Sequence, residues 1–142
     1  MIAVDVNIIA YLLIAGEKTG EARAVRDLDA DWIVPDLWRD EFLNILATYV
    51  RQGGTDLESA KKLWLAAVSL FEVKESVAGS VVTLELAEQY RLSAYDVQYL
   101  AVAVEHGVIL ITEDQSLLRS APQHAMTMRA YIESNTPDTP SS

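Results

Sequence analysis

SAYDVQYLAVAVEHGVILITED, residues Ser93–Asp114, decides the fold. Ser93 followed three positions later by Asp96 matches a capping box, with Asp in place of the preferred Glu or Gln, so a helix starts here. The helix, VQYLAVAV, is apolar nearly all round and is therefore expected to be buried. Gly107 stops it. VILIT (Val108–Thr112) follows as a continuous apolar run, the pattern of a strand covered on both faces.

Reading outward, the same alternation recurs. MIAV opens the chain as a short strand, and a helical pattern runs from Val6 to about Ala15. Gly16 and Gly20 frame a break, and Glu21–Asp29 reads as a polar helix. WIVP (Trp32–Pro35) is a second short strand stopped by proline. Asp36 is expected to cap a helix, LWRDEFLNILATYVRQ, closed by Gly53 and Gly54. Thr55 starts the next helix, about Leu57–Leu70, and FEVKE is a candidate third strand. A further helix is expected over Val77–Tyr90, a short one in EDQSLLRS, and a last edge strand in HAMTM. Strands alternating with helices predict βαβ units. The expectation is an α/β fold: one three-layer α/β/α domain with a central, mostly parallel sheet over residues 1–133, and a disordered polar tail over 134–142.

Composition narrows the function classes. The chain of 142 residues is 51% hydrophobic and 23% charged, an ordinary globular balance. It has no cysteine, which excludes disulfides, zinc–cysteine sites, iron–sulfur clusters and a thiol nucleophile. The opening apolar run lacks a basic lead and is interrupted by Asp5, so neither a signal peptide nor a membrane span is expected, and a cytoplasmic location is. The net charge of −10 argues against a binder that relies on a broad basic surface. It suits a site made of carboxylates.

Four carboxylates stand in apolar company. Asp5 directly follows MIAV, Asp114 lies just past VILIT, Asp96 sits at the mouth of the buried helix, and Glu41 shares a helical stripe with Leu37, Ile45 and Thr48. Each has a plain alternative: Asp5, Asp96 and Asp114 all occupy good helix-cap positions, and Glu41 could be a boundary residue. Glu113 is a second choice beside Asp114. In a parallel sheet, ligands gather at the carboxyl ends of the strands. The ends of two central strands would bring Asp5 and Asp114 together there, within reach of Asp96 and Glu41. Such a group repels itself unless a cation neutralises it, and an oxygen-only set points to Mg²⁺ or Mn²⁺.

VDVNIIAYLL, DEFLNILATYVRQG, SAYDVQYLAVAVEHGVILIT and TEDQSLL, in this order, resemble the PIN-domain ribonucleases, and within them the VapC-type toxins of toxin–antitoxin pairs. The likeness covers about residues 1–132. Carried over by position, the family's acidic quartet falls on Asp5, Glu41, Asp96 and Asp114. Its small polar residue falls on Asn7 and its threonine on Thr112. Val6 departs from the family's usual hydroxyl residue.

The resemblance implies metal-dependent hydrolysis of RNA phosphodiesters. Asp5 and Asp96 would be the most direct metal ligands, with Asp114 binding directly or through water. Glu41 would hold the attacking water or help remove its proton. Asn7 and Thr112 would orient the ligands. It further implies a cognate antitoxin as partner and a homodimer, to which Trp38, Phe42, Tyr49 and Trp64 could contribute, although core packing is their plainer role. Without the four carboxylates the net charge of −10 is still −6, so phosphate contacts must be local. Arg39, Arg51 and Arg119 are the weak candidates. The rival readings are a catalytically silent PIN-like binding module and phosphoryl transfer through Asp5. A dehalogenase-type phosphotransferase wants Asp where Asn7 stands. A receiver domain wants a late lysine, and the last one here is Lys74.

Overall fold

The computed structural model describes residues 1–137. Five strands form one sheet: β1 (Ile2–Val4), β2 (Trp32–Pro35), β3 (Glu75–Ser76), β4 (Leu110–Ile111) and β5 (Ala125–Met126). Their order is β3-β2-β1-β4-β5, and every neighbouring pair is parallel. The helices are α1 (Val6–Leu13), α2 (Thr19–Leu28), α3 (Trp38–Arg51), α4 (Leu57–Phe71), α5 (Ser80–Tyr90), α6 (Ala94–His106), α7 (Gln115–Ser120) and α8 (Met128–Asn135). This is a single domain with an all-parallel sheet flanked by helices.

β1 is central and fully buried, as its unbroken apolar sequence requires. It pairs with β2 through Ala3 and Ile33 and with β4 through Val4 and Ile111. Strand order reverses at β1, so the carboxyl ends of β1 and β4 flank a crevice at the switch point. α6 packs on β1 and β2, and its buried face runs Val97, Leu100, Ala101 and Val102. Gly107 ends α6 at φ 64°, a left-handed conformation that glycine adopts without a Cβ penalty. Under α3 and α4, Trp38 stacks on Trp64 at 5.7 Å and Trp32 on Phe71 at 5.9 Å. Trp38 and Phe42 are core residues, and Trp64 is half-buried against them.

Some local expectations change. Asp36 does not cap α3: Leu37, in the cap position, already has helical dihedrals, and no side chain caps the helix. Asp56, not Thr55, caps α4, accepting the Ser59 N–H at 2.7 Å. FEVKE divides into a 3-10 turn (Glu72–Lys74) and the two-residue β3. α5 starts at Ser80, three residues later than expected. α8 runs through Asn135, so residues 134 and 135 of the expected tail are helical, and positions 138–142 of that tail lie outside the described residues. Among the described residues no helix is long and apolar enough to cross a membrane.

Candidate functional site

Val4 lies beside Ile111 in the sheet, so the next residues, Asp5 and Thr112, emerge side by side. The Asp5 N–H donates to the carbonyl of Ile111 at 3.3 Å, the last rung of the ladder. The Thr112 hydroxyl donates to Oδ2 of Asp5, and Oγ1 of Thr112 accepts the Asp114 N–H at 3.0 Å. Oδ1 of Asp5 caps α1, accepting the N–H groups of Asn7 at 3.0 Å and Ile8 at 3.3 Å. Asp114 caps α7 through the Leu117 N–H at 3.0 Å. The cap readings are thus real, and they fix both carboxylates at the strand ends rather than competing with another role.

Asp5 is 5% exposed. Burial pushes its pKa up from 3.8 to about 6, and the charge of Asp114 pushes the same way. The hydrogen bonds from Thr112, Ile8 and Asn7 oppose this without offsetting it. Among the described residues Asp5 makes no ion pair. A desolvated carboxylate with an acidic neighbour and no counter-charge carries an uncompensated electrostatic cost.

Glu41 lies in the first turn of α3 and is half-buried. Its Oε1 accepts the Tyr99 phenol at 2.5 Å. Tyr99 is three residues beyond Asp96 on α6, which places the two on neighbouring positions of one helix face. Asp96 donates its own N–H to Oγ of Ser93 at 3.1 Å and leaves its carboxylate exposed. Burial raises the pKa of Glu41, and the Asp96 charge adds to this, against the Tyr99 hydrogen bond. Burial also drives the Tyr99 phenol far up, helped by its bond to Glu41 and the charges of Glu41 and Asp5. Tyr99 therefore stands between two pairs, Asp5 with Asp114 and Glu41 with Asp96. Among the described residues no three His, Cys, Asp or Glu side chains stand close enough to close around one metal ion. The donors present are carboxylates, a hydroxyl and an amide, all oxygen, and they fit a hard divalent cation better than a soft one.

Sequence reading did not find Tyr99. Its one signal was a phenol three residues past an acid, in a helix otherwise apolar on every side. Asn7 contacts Asp5 through its backbone N–H, while its residue lines a cleft of about 450 Å³ with Asp40, Glu41, Asn44, Ile45 and Tyr95. Arg39 pairs with Glu75 and lies 5.7 Å from the centroid of the Trp38 ring. Arg51 is exposed at the end of α3 and donates to Thr48 at 3.3 Å, and Arg119 is exposed in the last turn of α7. A larger groove of about 620 Å³ between α3 and α4 is lined by apolar side chains and Lys61, with no carboxylate.

A parallel α/β domain with acidic residues at the switch point of its sheet defines a class of site for cationic ligands. The PIN domain family model matches residues 2–121, and the chain belongs to that family. PIN domains generally have nuclease activity and typically use divalent metal ions. The fold is similar to the crystal structure of PAE2754 from Pyrobaculum aerophilum, with a TM-score of 0.73 and 22% identity over 93% of each chain. Comparison with curated protein sequences gives no match.

Proposed function

We propose that this PIN domain is a Mg²⁺- or Mn²⁺-dependent endoribonuclease and the toxin of a toxin–antitoxin pair, cutting RNA at Asp5, Glu41, Asp96 and Asp114. The observation that supports it most is Asp5, a buried carboxylate held by three donors at a sheet switch point and without an ion pair among the described residues. Folding tolerates that cost where a ligand removes it. Asp5 and Asp96 would hold the cation, with Asp114 direct or through water and Glu41 completing the set. When bound, a divalent cation supplies charge neutralisation at the phosphate and makes water a stronger nucleophile.

The chain's own residues then have distinct tasks. Thr112 and the backbone of Asn7 and Ile8 fix the orientation of Asp5. Tyr99 holds one oxygen of Glu41, leaving the other to accept a proton from the attacking water. Asp114 is kept at the strand end by its bond to Thr112. Hydrolysis by water leaves a 5′-phosphate and a 3′-hydroxyl.

The net charge of −10 suits a basic partner segment, which is the chemistry expected of an antitoxin covering an acidic cleft. A homodimer and a cytoplasmic location complete this reading. The rival, a silent PIN-like binding module, draws on the division of the carboxylates into two pairs. Expression of the wild type, Asp5→Asn and Asp96→Asn with growth and RNA integrity followed in parallel separates the two. The nuclease reading expects growth arrest and RNA loss in the wild type alone, and equal behaviour of all three would sink it.

A further inference from the structure

The first turn of α3 carries Glu41, yet no side chain caps this helix end. Its opening backbone bonds run from the Arg39 N–H to the Asp36 carbonyl and from the Glu41 N–H to the Leu37 carbonyl, both at 3.2 Å. An uncapped first turn frays unless something outside the helix holds it. Two side chains do so here. Tyr99 of α6 donates to Glu41 at 2.5 Å. Glu75 of β3 accepts the Trp38 indole N–H at 2.8 Å and pairs with Arg39, both through Oε1. Trp38 is fully buried, with the rings of Phe42, Trp64 and Phe71 at 6.1, 5.7 and 5.9 Å from its own. The aromatic contacts fix its apolar sides and Glu75 fixes its one polar atom. Trp38 and Glu41 are three residues apart, so they occupy neighbouring positions on one helix face. A shift of Trp38 is therefore passed to Glu41.

We propose that Glu75 is a positioning residue for the carboxylate site. By holding Trp38 it sets the first turn of α3, and with it the reach of Glu41 to Tyr99 and into the cleft that Glu41 lines with Asp40 and Asn44. The inference rests on the nuclease reading for what Glu41 does. It goes beyond that reading in placing control of the Glu41 geometry on β3, an edge strand of two residues that carries none of the four carboxylates. The backbone adds a second tie at the same place, because the Asp36 N–H donates to the Ser76 carbonyl at 3.3 Å. A carboxylate beside the first turn also meets the positive end of the α3 dipole. The Trp38 bond needs an acceptor at position 75 and not a charge, so Gln serves there and Ala does not.

The test pairs steady-state cleavage in Mn²⁺ with amide hydrogen exchange in EDTA, on the full chain of the wild type, Glu75→Ala and Glu75→Gln. Glu75→Ala should lower kcat about 10–100-fold and leave KM nearly unchanged, because the reacting geometry is lost while the binding surface is not. Its Arg39 and Glu41 amides should exchange about tenfold faster than in the wild type, a larger rise than at Leu100 in the buried helix α6. Glu75→Gln should recover most of both losses. Trp38→Phe removes the same bond from its other end and should reproduce the fast exchange at Arg39 and Glu41. Wild-type kcat in Glu75→Ala, an equal rise in exchange at Leu100, or a Gln variant as impaired as the Ala variant would overturn the proposal. Cleavage by the wild type with kcat and exchange both unchanged in Glu75→Ala leaves the nuclease reading standing without it. No cleavage by any form in any divalent ion removes the nuclease reading, and fast exchange confined to the first turn of α3 would then still assign the hold on that turn to Glu75.

Discussion

The Thr112 hydroxyl donates to Oδ2 of Asp5 across 107 residues of sequence, tying the end of β4 to the end of β1. Thr112 also accepts the Asp114 N–H, so one buried hydroxyl joins the Asp5 carboxylate to the backbone of Asp114. Replacing it with Val keeps the shape and removes both bonds, leaving a buried acceptor and a backbone donor short of partners. Thr112→Val should cost about 1–3 kcal/mol in urea unfolding at pH 7, and Thr112→Ser much less. Equal losses in both variants would point to methyl packing rather than to the hydroxyl.

Asp5 predicts a pH dependence of known sign. Its folded pKa of about 6 lies above the unfolded value of 3.8, so the native state binds more protons between these two values. The group's contribution to stability is therefore full below pH 3.8 and is lost as pH rises through about 6. Asp5→Asn keeps a good cap residue and removes the charge. In EDTA it should be the more stable protein at pH 7, by on the order of 2 kcal/mol, and the gap should close toward pH 4. Mn²⁺ at a hundredfold excess over Kd should stabilise the wild type by about 2.7 kcal/mol and leave Asp5→Asn nearly unmoved. Thermal unfolding from pH 4 to pH 7 with and without Mn²⁺ reads both effects, and parallel wild-type and variant curves would contradict them.

Tyr99 lowers the pKa of Glu41 by donating to its charged form. Tyr99→Phe removes that bond, so the acid limb of the pH–rate profile should move to higher pH. Loss of a hydrogen bond to a charged group should also cost about 1.5–3 kcal/mol of stability. A profile with an unshifted acid limb and reduced height would make Tyr99 a packing residue only.

Arg39 pairs with Glu75 and lies over Trp38, with a longer contact of 4.0 Å to Glu72. Arg39→Ala should lower stability by about 1 kcal/mol through lost packing and leave RNA affinity at its wild-type value. A clear loss of affinity measured by anisotropy would return Arg39 to the substrate path.

The sheet was legible in the sequence where burial on both faces demands unbroken apolar runs. MIAV, WIVP and VILIT all became parallel strands for that reason. β3 was poorly legible, because two residues on an edge strand need no such run, and only its pairing with Val34 and Pro35 defines it. The Asp36 cap failed because cap preference is local, whereas the helical turn already includes Leu37, which displaces Asp36 from the cap position. The four carboxylates stood out as charges among apolar neighbours. Their division into two pairs, with Tyr99 between them, did not, because the Glu41–Tyr99 bond spans 58 residues and leaves no periodic trace.

The central claim, that Asp5 and its neighbours form a divalent-cation site for cutting RNA, is tested most directly by purified chain on end-labelled RNA. Cleavage should occur with Mg²⁺ or Mn²⁺, stop in EDTA, return when the ion is added back, leave 5′-phosphates, and be absent in Asp5→Asn and Asp96→Asn. Cleavage that persists in EDTA, or that both variants perform at the wild-type rate, would contradict the account.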